Sequence, residues 1–248
     1  MQAARRYFAA VRGRDPRTLT ITGLLLAFAL EIAAFAHIVE DYLTGDPIVR
    51  WDLHFATWLH EHASHPLVRI LEAVTLAGNA AVLGLVVVAA ALVLLRRSRS
   101  SEAAVLAIAF VGAAVLNALV KLIFHRDRPE LGFVHLDTYS FPSGHAAVSS
   151  ATFTVMAYLL ARHYRSTRTR VLIALAAAVA IALVGFSRLY LGAHYLSDVL
   201  AGFSFGLAWA TLCLLTYTAW GERDLVAASP PWVKAAVRRL GTSRKSNR

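Results

Sequence analysis

Six apolar blocks separated by short polar stretches set the pattern of this chain, at about Leu19–Val39, Leu71–Leu95, Ala103–Phe124, Ala146–Ala161, Val171–Leu191 and Val199–Ala219. Inside them the hydrophobic residues run on without the period of a half-buried helix or strand. Each block is near the roughly 20 residues that a helix needs to cross a bilayer. An amide left unpaired in hydrocarbon is costly, so every block is predicted to be helical. The expected fold is all-α: a polytopic membrane protein with six transmembrane helices. No repeat or long linker divides it. Residues 1–248 therefore read as one domain, a six-span core over 19–219 between basic tails at 1–18 and 220–248.

Composition sharpens this picture. Hydrophobic residues make up 58% of the chain and charged ones 16%, against about 25% charged in soluble proteins. A net charge of +10 would point to nucleic acid in a soluble chain, but here the arginines gather between apolar blocks. They favour one side at every connection. Arg5, Arg6, Arg12, Arg14 and Arg17 precede the first block, Arg96, Arg97 and Arg99 follow the second, and Arg162, Arg165, Arg168 and Arg170 follow the fourth. The last tail is basic too, whereas the other side carries only Arg50, Arg69, Lys121, Arg126, Arg128 and Arg188. Positive charge stays inside, so both termini are expected in the cytoplasm. The first block, ending Ala34-Phe35-Ala36 after its arginines, also resembles a signal peptide. It is long for one and contains Glu31, so it is read as a span. The single cysteine, Cys213, excludes an internal disulfide.

Three polar constellations fall on the side poor in positive charge. Lys121 and Arg128-Pro129 run off the third block, Pro142-Ser143-Gly144-His145 opens the fourth, and Ser187-Arg188, His194 and Asp198 bridge the fifth and sixth. Each has a plain structural reading: headgroup anchoring for the cations, an ordinary capped start for Ser143, and a structural contact for His194 with Asp198. Together they describe something more specific. Lys121, Arg128 and Arg188 would converge as an anion site if the helix ends pack. Ser143 suits an N-cap, and Gly144 lets backbone amides approach an anion closely. A carboxylate at one ring nitrogen of His194 leaves the other as a lone-pair nucleophile.

In order and spacing these residues resemble the tripartite signature of the type 2 phosphatidic acid phosphatase superfamily, which includes lipid phosphate phosphatases and vanadium haloperoxidases. Every signature position is filled, from Lys121 to Asp198. The resemblance implies a metal-independent phosphatase of a membrane lipid phosphate monoester or diphosphate, with no cofactor. His194 would attack phosphorus to form a phosphohistidine, Asp198 would orient it, and His145 would protonate the leaving oxygen. Lys121, Arg128, Ser143, Gly144 and Arg188 would hold the phosphate oxygens. Phosphatidate, phosphatidylglycerol phosphate and a polyprenyl diphosphate all fit, the last making undecaprenyl diphosphate phosphatase the specific alternative. The alternative of another class is a lipid phosphate binding or transport protein without turnover. The expected setting is the plasma membrane, with the site on its extracytoplasmic face.

Other features stand apart from that chemistry. His60-Glu61-His62-Ala63-Ser64-His65 approaches a zinc protease motif but has Ser64 where histidine is needed. Trp51, Phe55, Trp58, Leu59 and His62 instead predict a short interfacial helix, with Asp52, His60 and Glu61 on other faces. Glu31 is expected to be a hydrogen-bonded structural group, and Asn79 and Asn117 interhelical partners. In the C-terminal tail, Trp232, Val233, Val237 and Leu240 alternate with Lys234, Arg238 and Arg239, a pattern for a helix on the anionic inner leaflet.

Overall fold

The computed structural model describes residues 15–45, 47–130, 132–134 and 138–228. Among these the regular structure is entirely helical. Helix α1 spans Pro16–Thr44, α2 Pro47–Glu61 and α3 His65–Thr75, followed by a 3-10 turn at Leu76–Gly78. Then come α4 at Ala80–Arg96, α5 at Ser100–Phe124, α6 at Gly144–Ala161, α7 at Thr167–Tyr190 and α8 at Leu196–Ala228. The basic patterns expected before residue 15 and beyond residue 228 lie outside the described residues.

Among the described residues five helices, α1, α5, α6, α7 and α8, are long and apolar enough to cross a bilayer. The continuous span expected over Leu71–Leu95 is corrected: it is a bent pair, His65–Gly78 and Ala80–Arg96, meeting at 47°, and counts as the sixth crossing only if the pair is one span. The cause is Asn79. Its backbone is extended, and its side-chain oxygen accepts from the Ala81 and Val82 amides to cap α4. That cap replaces the interhelical role expected of Asn79, since a local side-chain bond competes with a continuing helix.

Helices α6 and α8 form the centre of the bundle. Gly202 and Gly206, one turn apart on α8, let the two backbones meet. A Cβ at Gly202 would lie 2.6 Å from Ser143 O, and one at Gly206 2.2 Å from Ala147 O. Small residues at this spacing are how membrane helices approach closely, where packing rather than water exclusion drives association. Leu83 and Val87 of α4, Leu106 of α5, Val155 of α6 and Leu214 of α8 fill the adjoining core. The periphery is apolar as well: Leu30, Leu85, Val111, Leu122 and Leu175 are exposed. Such a surface belongs against lipid, and the chain is a multi-pass membrane protein. Within the bundle, Glu31 of α1 lies beside Thr211 of α8.

Alternating helix directions bring the end of α5, the start of α6, the end of α7 and the start of α8 to one end of the bundle. Helices α2 and α3 pack there too, on α8 and α7 respectively. The short helix expected around Trp51 and Trp58 is present as α2, with both tryptophans exposed and Leu59 buried. Asp52, one of its polar residues, faces inward with 1% exposure.

Candidate active site

The three constellations meet at this end of the bundle. Helix α5 stops at His125, whose left-handed backbone (φ 47°) turns the chain back and whose amide donates to Lys121 O. Lys121 in the last turn donates through Nζ to Tyr139 O and, at 3.3 Å, to Ser140 O. Three residues past the turn, Arg128 binds the loop that leads to α6, through Thr138 O (2.6 Å) and Thr138 Oγ1 (2.8 Å). It also reaches the third constellation, donating to Ala193 O at 2.6 Å and to His194 Nε2 at 3.2 Å.

Ser143 holds the N-cap position of α6, but the capping bond expected from its hydroxyl is not made. Its Oγ is fully buried without a partner among the described residues, while its amide donates to Asp198 O at 2.9 Å. The main chain is held by α8, so the side chain is spared. Gly144 begins α6 against α5, where a Cβ would lie 3.0 Å from Asn117 Oδ1. Asn117 in turn reaches Pro142 O at 3.5 Å, a contact to the loop rather than to another helix. His145 on the first turn of α6 lies within electrostatic reach of Arg188, His194, Arg128 and Lys121. The 3-10 turn before α4 rests on its ring: a Cβ at Gly78 would come 3.3 Å from His145 Cδ2.

Arg188 lies near the end of α7 with 3% exposure; Nη1 donates to Thr75 Oγ1 at 2.9 Å and Nε has no partner among the described residues. His194 lies before α8, which starts at Leu196, so it does not share a helical face with Asp198. A tighter device joins them. Asp198 folds back over the first turn of α8, its Oδ2 accepting from the Tyr195 amide at 2.9 Å and standing 3.4 Å from His194 Nδ1. At that distance the ring and carboxylate are adjacent without being aligned for a hydrogen bond.

Charge at the site is unbalanced toward the positive. Burial pushes the His194 imidazole well below its ordinary pKa of 6.5, and Arg128, Arg188 and Lys121 push it the same way. Burial also lowers the pKa of Arg128, with Asp198 opposing. Two buried donors without partners among the described residues recur here, Ser143 Oγ and Arg188 Nε. Such groups ordinarily carry a hydrogen bond, and an anion with several acceptor oxygens matches donors of this kind.

Three further residues shape the site without belonging to any of the three constellations. Arg126 donates to Asp198 Oδ1 at 2.7 Å and to Asp52 Oδ2 at 2.8 Å, while Thr75 holds Arg188. In the sequence Arg126 is one more charge between a span and its motif, and Thr75 sits inside an apolar block. A signal did exist for Asp52: it is seven residues, about two turns, from the buried Leu59, and so on the same side of the helix. The histidines of the nearby loop are engaged otherwise. His60 stacks on Phe133 and His62 on Trp58. Among the described residues no group of three or more His, Cys, Asp or Glu is disposed to hold a metal ion.

Comparison with known proteins bears on these observations. A family model described as PAP2 superfamily matches residues 102–222, which contain all three constellations. Phosphatidylglycerophosphatase B of Bacillus subtilis is 41% identical over 96 residues, covering 38% of this chain and 47% of that protein. The lipid A 1-phosphatase of Rhizobium etli is 32% identical over 148 residues, covering 51% and 59% respectively. The chain thus spans about half the length of the curated relatives it matches. A crystal structure of a transmembrane PAP2 type phosphatidylglycerolphosphate phosphatase from Bacillus subtilis superposes with a TM-score of 0.67 at 26% identity. That match covers 77% of this chain and 94% of the other.

Proposed function

This chain is a member of the PAP2 superfamily, and from that premise we propose that it is a membrane phosphatase acting on a lipid phosphate monoester or diphosphate through His194. The observation that carries the reading is the meeting of His194 Nε2 with Arg128, beside Arg188 and Lys121, at one end of an apolar bundle. A phosphate monoester brings about −1.5 to −2 charges near neutrality, a load that three fixed cations match. Relatives named for phosphatidylglycerophosphate and lipid A phosphate support a lipid phosphate as substrate.

In the proposed reaction Lys121, Arg128, Arg188, the Ser143 hydroxyl and the amides beside Gly144 hold the non-bridging oxygens. Nε2 of His194 attacks phosphorus in line, and the bond to the leaving oxygen breaks as His145 gives that oxygen a proton. Asp198 offsets the positive charge that grows on the His194 ring. Water then attacks the phosphohistidine, His145 takes its proton, and phosphate departs with His194 restored. The helix ends suit a lipid, whose headgroup reaches the site while its tails stay in the bilayer. The same reading takes residues 1–248 as one domain, with both termini in the cytoplasm and the site on the outer face of the plasma membrane.

The test is phosphate release by the purified full chain from phosphatidate, phosphatidylglycerol phosphate and a polyprenyl diphosphate. Release from one or more, abolished by His194→Ala, is expected. Binding of these lipids without release would favour a carrier instead and overturn the reading.

A further inference from the structure

Asp52 and Arg126 lie behind the proposed nucleophile rather than beside the phosphate site. Arg126 is a fork between two buried carboxylates: Nη1 donates to Asp198 Oδ1 and Nη2 to Asp52 Oδ2, at 2.7 and 2.8 Å. Exposure is 1% for Asp52, 8% for Arg126 and 0% for Asp198. The rings of Tyr42 and Tyr195 lie over the guanidinium, 4.9 and 4.4 Å away, and shield it from solvent. Asp52 also grips the start of α8 directly. Its Oδ1 accepts from the Ser197 amide at 2.8 Å, and its Oδ2 accepts from the Ser197 hydroxyl, which itself accepts from Arg126 at 2.7 Å. A carboxylate from α2 therefore binds one of the free amides at the start of α8, the turn that carries Asp198.

We propose that Asp52 is a positioning residue for catalysis, acting through Arg126 and Ser197 to fix Asp198 and reserve its charge for His194. Two arguments carry this. The first is geometric. Asp198 Oδ1 is committed to Arg126, which leaves Oδ2 as the oxygen toward His194 Nδ1. The rotation of that carboxylate depends on Arg126 staying where Asp52 holds it. The second is electrostatic. An isolated Arg126–Asp198 pair would be neutral, and Arg126 would draw on the charge that Asp198 presents to the ring. With Asp52 the buried cluster is one charge negative. An unbalanced charge there is expensive unless a positive group faces it, and phosphorylation makes the His194 ring that group. Lys121 and Arg128, which also interact with Asp198, face it from the other side.

The proposal rests on the phosphatase reading, and its test separates the two. In folded full-length protein, Asp52→Asn is expected to lower kcat about 10- to 100-fold, by analogy with partners that orient a metal ligand from behind, with KM within about twofold of wild type. In an Asp198→Asn background the same substitution should cost little more, because its effect passes through Asp198. An unchanged kcat, a loss carried by KM, or losses that simply multiply would overturn the proposal. Should Asp52→Asn fail to fold, Arg126→Lys tests the same link, since lysine lacks the fork that bridges both carboxylates; it too must lower kcat and not KM. A wild type that frees no phosphate sinks the phosphatase reading alone. The link is then read from the 15N resonances of His194, assigned by difference with His194→Ala. Asp52→Asn or Arg126→Lys should shift them, and an unmoved signal would rule the link out.

Discussion

Arg128 Nη1 lies 3.2 Å from His194 Nε2. A guanidinium has donors and no acceptor, so Nε2 is the accepting nitrogen at that contact. In the neutral ring the proton then sits on Nδ1, the side that faces Asp198 Oδ2 at 3.4 Å. The lone pair points toward the cations and the N–H toward the carboxylate, which is the tautomer a histidine nucleophile needs. A phosphoryl oxygen arriving between Arg128 and the ring would take over the guanidinium donors and free Nε2 for attack.

The pH profile follows from the same surroundings. Burial, Arg128, Arg188 and Lys121 all lower the pKa of His194, and a lowered pKa favours the neutral, competent ring as pH falls. The acid limb of kcat/KM due to His194 is therefore expected below the ordinary value of about 6.5. A phosphate monoester loses its second proton near about 6, so the limb needs an assignment. Arg128→Gln supplies it, because removing that cation should move the His194 limb upward and leave free substrate unchanged. A His194 limb at or above the ordinary value in the wild type would contradict the electrostatic account.

Chelator and vanadate address charge compensation. In the proposed reaction Lys121, Arg128 and Arg188 take the place of the positive charge that a divalent ion supplies in many phosphatases. Phosphate release should survive excess chelator. Orthovanadate, which adopts the five-coordinate shape of the transferring phosphorus, should inhibit competitively. Activity that disappears with chelator and returns with magnesium or zinc would refute charge compensation by the protein alone.

The signature residues were legible in the sequence because each chemical group sits within a short stretch whose spacing is visible. What supports them was not. Asp52 is 146 residues from Asp198 and 74 from Arg126, and only packing of α2 on α8 joins them. The bend at Asn79 was hidden because hydropathy reads composition, and Leu71–Leu95 stays apolar on average despite Glu72, Thr75 and Asn79. That bend nonetheless matters to the site: it places Thr75 on Arg188 and Gly78 against His145. Ser143 shows the converse. Its residue type suggested a cap, but its amide is bound by Asp198 O and its hydroxyl is left over for a ligand.

Close packing of α6 on α8 should be measurable as stability. A methyl at Gly206 would meet Ala147 O and Ser150 Oγ, each 2.2 Å away, whereas one at Gly23 on α1 meets nothing within 4 Å. Gly206→Ala is expected to cost about 1–3 kcal/mol, the usual penalty of overpacking, and Gly23→Ala nothing comparable. Equal melting temperatures for the two variants in detergent would mean that the helices adjust freely there.

The arginine bias predicts the orientation in the membrane. With Cys213→Ser as background, single cysteines at His54 and Ser98, both exposed at opposite ends of the bundle, can be labelled in intact cells by an impermeant thiol reagent. Label at position 54 and none at 98 is expected. The reverse would place the site in the cytoplasm.

The two histidines should separate by leaving group. His194→Ala removes the proposed nucleophile, so turnover of every substrate should stop, however good its leaving group. His145→Ala removes the proposed proton donor, a role worth typically about 10²–10⁴-fold, and that loss depends on the basicity of the departing oxygen. A lipid alkoxide needs the proton, whereas nitrophenolate leaves without it. His145→Ala should therefore lose far more kcat/KM on a lipid monoester than on nitrophenyl phosphate, the ratio that reports transition-state stabilisation. A burst of nitrophenolate ahead of slow phosphate release should accompany it, because the same His145 later activates the water that frees His194. Equal losses on both substrates would remove His145 from the proton-donor role. Residual turnover in His194→Ala would remove His194 as nucleophile, and an exchange of the two phenotypes would give that role to His145.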